Sequence, residues 1–332
     1  MKIQLPRQFS QVRDKALLSD LESRMGDVEA RIQEATSHAE PLIDKMSSHL
    51  SRAGGKRMRP VLVLLTSHLG DPDSEDVLDA AVVMEITHLA TLYHDDVMDQ
   101  AKARRGVDAA QMVWGNNVAI LTGDLLFARA SNIVSGLGER ALGLQARVFE
   151  QLVLGQLHET LGPNQGEDPL QHYLDVLRDK TGSLIALSAR LGAMLSGADE
   201  KYQEPLQQFG ERIGIAFQLA DDLIDIRSKT QDSGKVSGTD LLAGVPTLPV
   251  LLLSGFDDTE SKALASDIAS GINSEQLPEI LDRLRNHPAM EIAQAQTLEW
   301  AERAIEAISP LPEGGVKNAL VAFARAVVER KG

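Results

Sequence analysis

The sequence predicts an all-α protein, a helical bundle folded as one large domain. Three observations carry that prediction. Apolar residues recur every three or four positions along most of the 332 residues, no run alternates with period two, and aromatic residues make up only 4% of a chain that is 43% apolar. A three-to-four spacing buries one face of a helix, a half-buried strand needs alternation, and sheets favour aromatic and β-branched side chains.

In chain order, residues 1–38 are polar and amphipathic with little apolar surface for a core, and read as an N-terminal helical arm packed on the body or on a second subunit. Residues 39–332 contain no Gly/Ser-rich or Pro-rich linker and read as a single domain. Gly54-Gly55 marks a turn before a helix over 60–69, and Gly70-Asp71-Pro72 ends it. A long helix follows over 76–100, with Leu78, Ala81, Val82, Glu85, Ile86, Leu89, Leu92 and Tyr93 on one stripe. The same spacing predicts helices over 116–136, 140–161, 171–197 and 201–225, then 248–253, 261–271, 276–286, 289–307 and 315–330.

Composition excludes several classes. With no cysteine, thiolate zinc sites, iron-sulfur clusters, thiol catalysis and disulfide scaffolds are ruled out. The 33 basic and 48 acidic residues leave a net charge of −15, which argues against a basic nucleic-acid surface. Met1 to Gln11 has no uninterrupted apolar run, so neither a secretory signal nor a membrane anchor is expected there, and a cytoplasmic location is.

One acidic motif occurs twice: Asp95-Asp96-Val97-Met98-Asp99 and Asp221-Asp222-Leu223-Ile224-Asp225. Each ends an apolar helix. Positions one and five of a helix differ by about 400° and share a face, while the second aspartate lies about 100° aside. Six carboxylates at helix C-termini repel one another and meet an unfavourable dipole, so a bound cation is the reading that accounts for them. Hard oxygen donors of this kind suit Mg²⁺ holding a phosphate ligand, and the glycine and terminal glutamate of a calcium EF-hand are missing.

Basic residues accompany the motifs. Gly54-Gly55-Lys56-Arg57-Met58-Arg59-Pro60 is a basic turn entering a helix, where Lys56 and Arg59 could hold a diphosphate. It is not a Walker loop, because Arg57 stands where Ser or Thr would follow the lysine. Arg104 and Arg105 follow the first motif; His88 lies seven residues, two helical turns, before Asp95 on the same face. Gln218 stands one turn before Asp221, and Lys180-Thr181 interrupts an apolar helix.

Together these residues resemble the trans-isoprenyl (polyprenyl) diphosphate synthase family over nearly the whole chain, and most of all its bacterial heptaprenyl to nonaprenyl members. The match runs through Gly54 to Pro60, His88, both aspartate motifs, Arg104-Arg105-Gly106, Lys180-Thr181, Phe217 to Asp225, and the tract Gly234 to Pro249. The resemblance implies the isoprenoid synthase fold for residues 39–332, an all-α bundle around a deep central cavity, and a homodimer. It implies that Lys56, Arg59, His88 and Arg105 bind isopentenyl diphosphate. It also implies that Asp95, Asp96, Asp99, Asp221, Asp222 and Asp225 hold two to three Mg²⁺ ions on an allylic diphosphate, assisted by Arg104, Lys180, Thr181, Gln218 and Lys235. Of these, Asp95, Asp96, Asp99, Asp221, Asp222 and Lys180 would be the catalytic set.

The reaction so implied is successive head-to-tail (1'-4) condensation, making an all-trans polyprenyl diphosphate for a quinone side chain, with transient membrane contact when the product leaves. Ala90 and Thr91, about 6 to 7.5 Å before Asp95 along the helix axis, are small and would let a growing tail pass. The family loop commonly carries a lysine where Val245 stands, so Lys180 and Lys235 are expected to supply that charge. Three alternatives compete: a short-chain farnesyl or geranylgeranyl diphosphate synthase, a class I terpene cyclase, and a non-catalytic synthase subunit. A cyclase leaves the basic turn, His88 and Arg105 unexplained, and a non-catalytic subunit is at odds with two intact motifs.

Overall fold

Asp14 opens the first helix, its carboxylate accepting the Leu17 amide at 3.1 Å and so satisfying one of the amides a helix start leaves over. The structure, a computed structural model, describes residues 5–6, 9, 12–228 and 237–329. Among these the chain gathers into two compact units. The first comprises Met1–Glu150, Leu184–Gly210 and Ile308–Ala322; the second comprises Gln151–Ser183, Glu211–Ala307 and Phe323–Gly332.

The first unit begins with α1 (Lys15–Thr36), α2 (Pro41–Ser47), α3 (His49–Arg52), α4 (Met58–Ser67) and α5 (Glu75–Met98). Leu17, Leu21, Met25, Val28 and Ile32 of α1 are buried, and α1 packs on α4 and α5. The polar start of the chain is thus a layer of this unit. In α5 nearly every residue from Val77 to Tyr93 is buried, more than a stripe, because α1, α4 and the later α7 (Asn116–Ser135) all pack on it. Gly123 permits the close approach of α7: a Cβ there would lie 2.3 Å from His94 Nε2. By length and composition α7 could cross a membrane; here it buries Ala119, Thr122, Gly123, Leu126, Ala130 and Val134.

Between α5 and α6 (Ala110–Trp114) stands a hairpin the sequence did not announce. Strands β1 (Ala103–Arg104) and β2 (Val107–Asp108) pair antiparallel, Arg104 opposite Val107. The two residues between them, Arg105 and Gly106, both have positive φ, 54° and 79°, as a type I′ turn requires. Two-residue strands are too short to show alternation.

Next come α8 (Glu139–Leu161), α9 (Pro169–Leu177), a π-helical turn at Arg178–Gly182, α10 (Ser183–Leu195) and α11 (Gln203–Arg227). The helix expected over 171–197 is therefore broken by the π turn. After residue 237 follow α12 (Thr239–Leu242), α13 (Leu248–Leu252), α14 (Thr259–Ala269), α15 (Leu277–Arg285), α16 (Ala289–Ala307) and α17 (Gly315–Val328). In the second unit Leu219, Leu223 and Ile226 of α11 pack with Leu241, Leu248, Ile280, Leu284 and Met290 into one apolar cluster. That cluster fixes the inner face of the helix bearing the second aspartate motif.

Candidate active site

In the first unit the basic turn is held by an ion-pair frame. Arg57, at φ 48°, adopts a left-handed backbone that a side chain rarely takes, and it is buried. Its guanidinium donates to Glu29 at 2.5 Å, to Glu85 at 2.6 Å and to the Ser51 carbonyl at 2.9 Å. Arg105, presented by the hairpin turn, donates to the carbonyls of Gly54 and Leu50 and lies 3.5 Å from Glu85. Gly55, at φ 153°, makes room beneath it, since a Cβ there would come within 2.7 Å of the guanidinium carbon and displace that side chain.

Arg59 Nε is buried without a hydrogen-bond partner among the described residues. Burial, opposed by the Glu85 carboxylate and reinforced by Arg105, pushes the Arg59 guanidinium down to about 10. His88 is held well below its ordinary value, first by burial and then by Arg59, Arg105, Arg104 and Arg57, so it is a neutral imidazole at pH 7. Lys56 is exposed on the same turn. Around His88 stand the guanidinium groups of Arg57, Arg59, Arg104 and Arg105, and Arg59 Nε has no partner among the described residues, so within a chain of net charge −15 this is where an anion such as a diphosphate would be neutralised.

The first aspartate motif closes α5. Asp95 is half-buried and Asp99 exposed, whereas Asp96 is fully buried and takes the Arg104 fork on Oδ1, at 2.7 Å from Nε and 2.5 Å from Nη2. Gln111 binds the Asp96 and Ala101 carbonyls at 2.8 and 2.6 Å and pins the helix end. Asp96 Oδ2 is buried with no hydrogen-bond partner among the described residues. Among the described residues no three carboxylates are gathered closely enough to form a metal site in this arrangement; the orphaned Asp96 oxygen is the one feature of the motif that a hard divalent cation would satisfy.

The second unit repeats the pattern with different partners. Asp221 and Asp225 are half-buried and Asp222 is buried. Asp222 accepts from the Tyr173 hydroxyl and, at 3.0 Å, from Gln218 Nε2. Burial pushes its carboxyl up to about 7 despite those two donors. Asp225 accepts from Thr239 Oγ1 at 3.2 Å and from the Asp240 amide at 3.4 Å, which ties the end of α11 to α12. Lys180 and Thr181 lie on the π turn, a device found at functional sites because it redirects side chains within a helix. Gly155 and Gly214 allow the turn its tight surroundings: a Cβ on Gly155 would lie 2.8 Å from the Lys180 nitrogen, and one on Gly214 2.4 Å from the Gly182 Cα.

A model of the polyprenyl synthetase family matches residues 40–284. The chain belongs to that family. It is 41% identical to nonaprenyl diphosphate synthase of Mycobacterium tuberculosis over 96% of each chain. To heptaprenyl diphosphate synthase component 2 of Bacillus subtilis it is 34% identical, over 96% of this chain and 91% of the relative. Among solved structures it is similar to geranylgeranyl pyrophosphate synthase of Corynebacterium glutamicum complexed with calcium and isoprenyl diphosphate, at TM-score 0.87 and 40% identity over 97% of this chain and 99% of that one. The all-α isoprenoid synthase fold of this family member is thereby established.

Several predicted residues have partners the sequence did not reveal. Arg104 binds Asp96, and Gln218 binds Asp222 one position beyond the aspartate whose face it was expected to share. Lys180 is paired with Glu159 at 2.6 Å, so charge offered to a diphosphate there has to be taken from that carboxylate. Lys235 lies outside the described residues. Ala90 is fully buried, and Thr91 turns its hydroxyl back to the His88 carbonyl at 2.8 Å. Sequence reasoning missed Glu85 and Tyr173. Glu85 was legible as the one acid in an otherwise apolar stripe of α5; Tyr173 carried no signal.

Proposed function

We propose that the chain is a magnesium-dependent prenyltransferase that builds a medium- or long-chain all-trans polyprenyl diphosphate by adding isopentenyl diphosphate units to an allylic diphosphate. The observation that carries this reading is the cluster of Arg59 on α4, Arg105 in the hairpin turn and neutral His88 on α5, the helix that ends in an aspartate motif with an orphaned oxygen.

Lys56, Arg59 and Arg105 bind the diphosphate of isopentenyl diphosphate, and neutral His88 can donate a hydrogen bond to it without carrying a charge of its own. Asp95, Asp96, Asp99, Asp221, Asp222 and Asp225 are the residues for Mg²⁺, which when bound supplies positive charge to the leaving allylic diphosphate. Arg104 and Tyr173 hold the middle aspartates in place, and Lys180 and Thr181 serve the allylic diphosphate. The carbon-oxygen bond of the allylic substrate breaks, the isopentenyl double bond forms the new carbon-carbon bond, and the proton then lost goes to the departing diphosphate.

The small, buried Ala90 and Thr91 favour a product of seven to nine isoprene units, as do the nonaprenyl and heptaprenyl relatives. A geranylgeranyl product is the second reading, favoured by the 40% identity to the Corynebacterium enzyme. A quinone side chain is the destination a long tail suits, and transient membrane contact would accompany its release. Homodimeric assembly accords with Met112, Val113, Ile120 and Leu121, which expose apolar side chains on α6 and α7. A cytoplasmic location completes the reading. Purified protein incubated with Mg²⁺, labelled isopentenyl diphosphate and geranyl, farnesyl or geranylgeranyl diphosphate should yield long dephosphorylated alcohols on chromatography. Absence of elongation from every primer would overturn the proposal.

A further inference from the structure

We infer that Glu85 is the positioning residue of the isopentenyl diphosphate site, setting Arg105 directly and the basic turn through Arg57. The inference rests on the function proposed above. Glu85 is 1% exposed, and its Oε1 is shared between Arg57 at 2.6 Å and Arg105 at 3.5 Å. Those arginines come from two segments nearly fifty residues apart, the turn before α4 and the β1–β2 hairpin.

Without Glu85 the cluster would lose the one carboxylate that Arg57 and Arg105 share, leaving Arg57 to Glu29 and the Ser51 and Gly54 carbonyls and Arg105 to the Leu50 and Gly54 carbonyls alone. With it, Arg57 is bound from both sides, by Glu29 and Glu85, and the Gly54-Gly55 turn is locked. Arg105 then lies against the Gly54 and Leu50 carbonyls, which take up its first amino group. The side-chain contacts of Glu85 are with Arg57 and Arg105, so it determines where the cations stand when the diphosphate arrives. Arg59, with its unpartnered Nε, is left to the ligand. A buried, charge-assisted pair of this kind holds geometry well, because either partner alone would be an uncompensated charge.

The test is Glu85→Gln, which keeps the side chain's shape and one acceptor oxygen but removes the charge. At saturating allylic diphosphate, KM for isopentenyl diphosphate should rise about tenfold, while KM for the allylic diphosphate and kcat stay within about twofold. Calorimetric binding of isopentenyl diphosphate alone should weaken by a similar factor. In an Arg105→Lys background the same substitution should add clearly less than in the wild type, about threefold, since only the route through Arg57 remains. If Glu85→Gln fails to fold by circular dichroism, Glu85→Asp takes its place; it retains the charge but withdraws the carboxylate by one methylene, and the same rise in KM is expected. Equal rises in both KM values, an unchanged KM, or full additivity with Arg105→Lys would overturn the inference. A wild-type protein that elongates no primer would overturn the underlying function, whereas elongation with an unmoved KM in the variants would overturn the role of Glu85 alone.

Discussion

Asp96 and Asp222 hold the same place in two copies of one motif and are buried to nearly the same degree, yet they are kept there by different chemistry. Asp96 is bound by a guanidinium, and Asp222 by a phenol and an amide. Burial pushes the Asp222 carboxyl up to about 7, and the hydrogen bonds from Tyr173 and Gln218 offset only part of that rise. Tyr173→Phe should therefore destabilise the metal-free protein by about 1–3 kcal/mol in denaturant titrations and weaken Mg²⁺ binding, so that the loss of stability is larger when Mg²⁺ is present. His88 supplies the second prediction. Its folded value lies below its unfolded one, so the unfolded chain takes up a proton first as the pH falls. The stability it contributes is complete above about pH 6.5 and is lost below that. Replacement by Gln, neutral throughout, should flatten the decline between about pH 6.5 and 5 in thermal melts. Residue identities at the site were legible because DDxxD and GGKRMRP are contiguous. Partners were not: Tyr173 is 49 residues from Asp222, and Arg105 reaches Gly54 across 51.

Elements were readable where the apolar period is long and unbroken, as in α5, α7 and α11. The pattern could not foresee the π turn, whose residues Arg178–Gly182 lie in a stretch that keeps a helical period on either side. What permits it is a set of missing side chains on other helices, at Gly155 and Gly214. Gly214→Ala should thus cost about 1–3 kcal/mol, since its Cβ would meet backbone that cannot rotate away. It should also raise KM for the allylic substrate by displacing Lys180 and Thr181. Thermal melts and steady-state kinetics on the same preparation would check both. The β1–β2 hairpin escaped the sequence for a different reason. Its information resides in two positive φ angles, and only Gly106 advertises one.

For the whole molecule, composition was a good guide to what the chain is not and a poor one to its site. The net charge of −15 is an average that conceals a cationic cluster around His88. Fold class and family were both legible, because helical periodicity and the spaced motifs extend over most of the chain. Product length is a property of this larger scale, since a growing tail must be accommodated by helices far from the reacting carbon. Ala90→Phe, placing a ring at a fully buried position one turn before the aspartates, should shift the product to about three to five isoprene units while initial turnover with a short primer is retained. Chromatography of dephosphorylated products would show it, and an unchanged distribution would remove Ala90 from the path of the tail. A last consequence concerns Arg57. Its backbone conformation would suit glycine or asparagine, while its two carboxylate partners demand a guanidinium, so few replacements can meet both requirements. A saturation screen of this chain would then score position 57 among the least tolerant, and that intolerance would look catalytic although its guanidinium bonds are to Glu29, Glu85 and the carbonyls of Ser51 and Gly54.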